Sequence, residues 1–172
     1  MTVSGLPGSG TSTLSARAAA ALGLEHLDGG TVFRSMASEL GVSIAEFSRE
    51  AEHDATHDLE LDTRLAARAR LGNVLLESRL AGWITRNEGI GAWRVWVDCD
   101  ERERAQRVAS RERTELGTAL AQNRAREASE RARYLGYYAI DLADLSIYDL
   151  VLDSTSATPD ELVAAITGPG TT

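Results

Sequence analysis

Gly5-Leu6-Pro7-Gly8-Ser9-Gly10-Thr11-Ser12 packs three glycines into eight residues, between a short apolar run and an alanine-rich helical pattern. Few backbone paths suit such a segment. Glycine admits left-handed torsions, so the chain can curl with its N–H groups inward at the start of a helix, where the helix also contributes partial positive charge. Two glycines five apart followed by a hydroxyl residue match a phosphate loop, except that Thr11 stands where lysine is usual. Ser12 would then hold the magnesium that travels with a nucleoside triphosphate. Taken alone, the loop also admits a plain glycine turn between strand and helix.

Beyond the loop, short apolar runs alternate with longer helical patterns, the signature of a parallel sheet covered by helices. Strands are expected at Thr2 to Ser4, Leu24 to Leu27, Val74 to Glu77, Arg94 to Asp98 and Leu150 to Asp153. Helices are expected at Ser12 to Leu22 and Thr31 to Leu40, the second with Val32, Met36 and Leu40 on one face. Ser43 and Glu46 form a capping box. Residues 29–71 read as a helical insert on the sheet, residues 112–117 as a short mobile lid, and 118–138 as a long solvent-facing helix. Gly168-Pro169-Gly170 reads as a disordered end. With 172 residues this is one domain, a three-layer α/β fold with a five-stranded parallel core.

Charge narrows the partners. The 18 basic residues, all arginine, against 26 acidic ones leave a net charge of −8, which disfavours binding a nucleic-acid polymer and confines any phosphate site to a local pocket. No apolar run nears the roughly 20 residues that cross a bilayer. The first residues lack a basic and apolar leader, and a lone Cys99 suits a reducing compartment, so the expectation is a cytoplasmic monomer.

Further candidates sit just past the expected strands. Arg34 in Asp28-Gly-Gly-Thr-Val-Phe-Arg34 can reach an anion over the sheet, or be an ordinary solvated arginine. Glu77 at a central strand's carboxyl end can anchor magnesium, since ligands of open α/β sheets bind at that edge, or cap a loop. Arg104, Arg107 and Arg111 share one helical face, as do Arg126, Glu130 and Arg133. Two arginine faces can close over phosphates with bidentate guanidinium forks, the alternative being salt-bridged surface helices. His53 and His57 are four apart but have no third ligand in sequence, so a metal there is not expected. Trp83, Trp93 and Trp96 read as packing residues.

Four segments, Ser4–Thr13, Asp28–Arg34, Glu77–Gly82 and Asp144–Val151, resemble in order the cytidylate kinases of the short archaeal-type branch, over nearly the whole chain. In that branch a threonine commonly stands in the loop's lysine position, as Thr11 does here. The resemblance implies the fold of nucleoside monophosphate kinases, with 29–71 as the monophosphate-binding insert and 112–117 as lid. It implies transfer of the γ-phosphoryl group from ATP to CMP or dCMP, with magnesium as cofactor. ATP would lie on Gly5, Pro7, Gly8, Ser9, Gly10, Thr11, Ser12 and Thr13, with Arg107 against its adenine and Ser12 and Glu77 holding the metal. CMP would meet Asp28, Gly30, Arg34, Asp58, Asp62, Arg79 and Glu130, with Arg64 in the same polar stretch. Arg79, Arg111, Arg126 and Arg133 would be the catalytic arginines, carrying the charge that a lysine normally shares. Ser78 departs from the expected Glu-Gly-Arg and adds a side chain beside the acceptor. Open alternatives are a kinase for another acceptor such as UMP, or a nucleotide-binding regulator without turnover.

Overall fold

The computed structural model describes residues 1–168, so Pro169 and Gly170 of the expected tail lie outside the described residues. Five parallel strands, β1 (Thr2–Gly5), β2 (Glu25–Asp28), β3 (Val74–Glu77), β4 (Arg94–Asp98) and β5 (Leu150–Asp153), form one sheet in the order β2-β3-β1-β4-β5. The central strands β1 and β3 are wholly buried, as runs covered on both faces must be. Successive side chains point to opposite faces, and Leu75 and Leu76 accordingly enter different cores. Leu75 joins Val3, Leu14, Ala18, Val95 and Ile166 under α1 (Thr11–Leu22) and α8 (Pro159–Thr167). Leu76 joins Leu65, Ile84, Tyr134 and Ile140 on the other face.

The 29–71 segment is three helices, α2 (Gly29–Leu40), α3 (Ile44–Ala51) and α4 (Ala55–Arg70). The capping box of Ser43 and Glu46 starts α3. Met36, Ala37 and Phe47 give the insert a small core of its own, packed by Val32, Phe33 and Leu61. Leu40 does not share it; as the last residue of α2, where Gly41 turns the chain, it is 58% exposed. The remaining helices are α5 (Ala81–Asn87), α6 (Glu101–Glu112) and α7 (Leu116–Tyr138), so the connection between α6 and α7 is 113–115.

β1 runs one residue longer than expected, and α1 and α7 begin earlier, at Thr11 and Leu116; two further boundaries shift for local reasons. Leu24 closes the α1 cap by donating its N–H to the Ala19 carbonyl at 2.9 Å, and β2 therefore begins at Glu25. The second helix starts at Gly29 because Asp28 caps it, accepting from the N–H groups of Gly30 (2.9 Å) and Thr31 (3.0 Å). The long α7 is less solvent-facing than its alanines suggest. Its buried stripe is Ala119, Asn123, Glu130 and Tyr134, polar at the middle, which hides it from an apolar periodicity. Trp96 packs beside Tyr148 with ring centroids 5.3 Å apart, and Trp83 and Trp93 pack on the two cores.

Candidate active site

Parallel pairing sets Gly5, Asp28, Glu77, Asp98 and Asp153 along one carboxyl edge: Val3 and Asp28 both pair with Glu77, Gly5 with Val97, and Asp98 with Asp153. The glycine loop leaves the middle strand of this edge and enters α1. Gly8 and Gly10 take φ of 84° and 92°, torsions that L side chains rarely adopt. A Cβ on Gly8 would also sit 2.4 Å from the Arg104 carbonyl oxygen. Thr11, in the lysine position, is buried and brings no charge.

The loop's alternate carbonyls are held from outside. Arg79 Nη1 donates to the Gly5 carbonyl, Arg104 Nη1 to that of Pro7 (3.2 Å), and Ser154 Oγ to that of Ser9 (2.7 Å). Arg107 in turn donates to Ser154 Oγ (3.2 Å) and to its carbonyl (2.6 Å). Across a trans peptide C=O and N–H point in opposite directions, so carbonyls held outward leave the next residues' amides facing the loop's concave side. That is an anion cradle without an ammonium group.

Beside it, Ser12 Oγ donates to Glu77 Oε1 at 2.6 Å, and His26 Nε2 lies 2.8 Å from Glu77 Oε2. The Ser12 hydroxyl and the Glu77 carboxylate are hard oxygen donors of the kind magnesium takes, so the pair fits that ion. On the other flank a cavity of about 240 Å³ lies between Gly10, Thr13, Arg107, Ala157, Pro159 and Leu162. A guanidinium on one wall and apolar groups on the others suit a planar base.

A second cluster is built from long side chains. Glu130, buried on α7, accepts from Arg79 Nε (2.9 Å) on one oxygen and from Arg126 Nε (2.8 Å) on the other. Burial works to raise its carboxyl, but the two arginines outweigh it and hold it below the usual range. Three residues on, Arg133 Nη1 reaches across to Asp58 of α4 at 2.8 and 3.1 Å, while its Nε has no partner. Burial, joined by the Glu130 charge, raises Asp58 against the pull of Arg133. One turn along, burial pushes Asp62 up to about 7, with the Asp58 charge adding to it. The Tyr138 hydroxyl lies against Asp62 and works against that rise.

The sequence candidates do not all converge. Arg34 is over half exposed and bonded to Asp28 (3.2 Å) and Thr31 (2.7 Å), while Asp28 itself serves as the α2 cap beside Gly30. Arg111 is exposed on α6 and pairs with its neighbour Glu112 at 2.8 Å. Arg64 joins Glu39 and Glu60 on the insert's surface. Ser78 Oγ is buried with no partner. His57 stacks edge-on to Phe47, and no cluster of three metal-ligating side chains occurs among the described residues. Three contributors are marked by no motif in the sequence: His26, Ser154 and the Ala157–Pro159 wall. Period-two alternation places His26 and Glu77 on one face of the paired strands, a signal that register alone can reveal.

A phosphate loop on the central strand, a helical insert and arginines drawn in from several elements define a P-loop kinase. A family profile described as an AAA domain matches residues 1–135. Cytidylate kinases from Pyrococcus horikoshii and Haloquadratum walsbyi are 43% and 44% identical, each over 96% of this chain and over 85% and 88% of the relative. The solved shikimate kinase of Bacteroides thetaiotaomicron superposes with a TM-score of 0.65 at 12% identity, covering 96% of this chain and 94% of that one. The chain belongs to the cytidylate kinase family. Among the described residues no helix is long and apolar enough to cross a membrane.

Proposed function

We infer that the protein catalyses in-line transfer of the γ-phosphoryl group of ATP to a phosphate oxygen of CMP, giving ADP and CDP. The new bond joins γ-phosphorus to the acceptor oxygen, and the bond to the β–γ bridging oxygen breaks, its electron pair leaving with ADP. The acceptor oxygen is already anionic, so no histidine base is required; His26 meets the Glu77 carboxylate rather than a loop hydroxyl. What this chemistry asks of a protein is position and positive charge.

The observation that carries the reading is Glu130, a buried carboxylate whose two oxygens hold Arg79 and Arg126 from opposite sides. A carboxylate and a phosphoryl group take the same guanidinium fork. We assign Arg79 and Arg34 to the acceptor phosphate, and Arg126 and Arg133 to the phosphates of both nucleotides. Arg111, exposed on the helix ahead of the 113–115 connection, closes over the donor. The donor phosphates lie on the loop amides and the base in the 240 Å³ cavity by Arg107. Ser12 and Glu77 would hold magnesium, which would neutralise charge on the donor phosphates. The 29–71 insert closes on the acceptor and excludes water as a competing nucleophile. Asp58 and Asp62 face the pyrimidine, whose amino group is a donor that a carboxylate can accept.

A coupled assay with ATP and magnesium against CMP, dCMP, UMP and AMP tests this. Turnover is expected fastest with CMP, and hydrolysis of ATP without acceptor far slower than transfer. Absence of CMP turnover, or hydrolysis as fast as transfer, contradicts the reading.

A further inference from the structure

Arg104 is 5% exposed, a deep position for an arginine, and it touches three separate parts of the molecule. Its Nε donates to the Cys99 carbonyl at the end of β4 (3.2 Å), its Nη1 to the Pro7 carbonyl (3.2 Å), and its Nη1 and Nη2 to the Glu127 carboxylate on α7. Its own backbone carbonyl lies against Gly8. A buried cation fixed in this way directs the Pro7–Gly8 peptide: with the oxygen bound outward, the Gly8 N–H faces inward. Its charge, placed behind the loop, also polarises that peptide and strengthens the amide as a donor to an anion.

Glu127 and Glu130 stand three apart on one face of α7. Glu127 holds Arg104, which holds the Pro7 carbonyl; Glu130 holds Arg79, which holds the Gly5 carbonyl. Two parallel chains of charge-assisted contacts thus run from α7 to alternate peptides of the loop. The same helix carries Arg126 and Arg133. One helix therefore carries both the anchors of the loop and the arginines assigned to phosphate.

We propose that Arg104, anchored by Glu127, is a positioning residue for the donor phosphates: a cation behind the loop that sets the direction of the Gly8 amide in the absence of a loop lysine. The proposal rests on the loop holding the donor.

Calorimetry of ATP and of CMP binding, with kcat and thermal unfolding, is carried out on Arg104→Met, Arg104→Lys, Glu127→Gln and Gly10→Ala. Arg104→Met is expected to weaken ATP binding about tenfold and to lower kcat, with CMP binding within about twofold of the parent. Arg104→Lys, which keeps the charge but not the fork, should recover part of the ATP affinity, and Glu127→Gln should show a smaller loss in the same direction. A merely structural role would lower the unfolding temperature and leave the ratio of ATP to CMP affinity unchanged. That result in folded Arg104→Met overturns the proposal. Should Arg104→Met not fold, parental ATP affinity in both Arg104→Lys and Glu127→Gln overturns it equally. Gly10→Ala strains the loop itself, so a variant binding ATP like the parent would place the donor elsewhere. Weak ATP binding by Gly10→Ala beside parental binding by the Arg104 variants would reject the strut alone.

Discussion

In the proposed function, the donor half and the acceptor half of the site solve the same problem, holding phosphate in a protein of net charge −8, with different materials. On the donor side the ligand surface is backbone. Glycine torsions shape it, and side chains act from behind on its carbonyls. On the acceptor side the surface is made of guanidinium groups belonging to β3's loop and α7, held by buried carboxylates such as Glu130 and Asp58. Backbone cradles are rigid and weakly charged; guanidinium clusters are strongly charged and can exchange one anion for another. A kinase needs both, the first to fix the donor and the second to follow charge as it moves between nucleotides.

Arg79 belongs to both halves, since it bonds the Gly5 carbonyl and Glu130. Arg79→Ala should therefore have the largest effect, lowering kcat by roughly 10³ to 10⁵ and weakening both nucleotides, as steady-state kinetics and calorimetry can measure. Arg126 bonds Glu130 and none of the loop carbonyls. Arg126→Ala should lower kcat by roughly 10³ while ATP affinity stays within about twofold; equal losses in both quantities would erase the distinction between the halves.

The mildest effect separates folding from catalysis. Asp62 is raised to about 7 in the folded protein from its ordinary 3.8, so between those values the folded state binds the extra proton. Stability from this group therefore falls as pH rises from about 4 to about 7 and is level beyond. Asp62→Asn removes that loss. Its unfolding temperature should exceed the parent's by a margin that widens across the interval, and a margin independent of pH would refute the assignment.

The two halves also differ in how openly the sequence displays them. Glycine spacing after an apolar run is local information, and β3, β4 and β5 likewise begin and end where their residues suggest, because turn and cap signals flank them. The acceptor half depends on contacts between distant residues, such as Arg133 with Asp58 and Arg79 with Glu130. Helical spacing shows that Arg126, Glu130 and Arg133 share a face, but not which partner each meets. Arg104 illustrates the limit: spacing places it with Arg107 and Arg111 on an arginine face, yet burial makes it a support for Pro7 while Arg111 stays in solvent. Asp28 shows the reverse, since capping chemistry readable from Gly30 and Thr31 accounts for both its oxygens.

The most direct test of lysine-free phosphate binding is a crystal structure with CMP and a non-hydrolysable ATP analogue bound together. The expected result is analogue phosphates on the amides of the glycine loop, with the Arg79 and Arg126 guanidiniums turned from Glu130 to within hydrogen-bond distance of phosphoryl oxygens. Both guanidiniums still on Glu130 and facing away from the two nucleotides would contradict it.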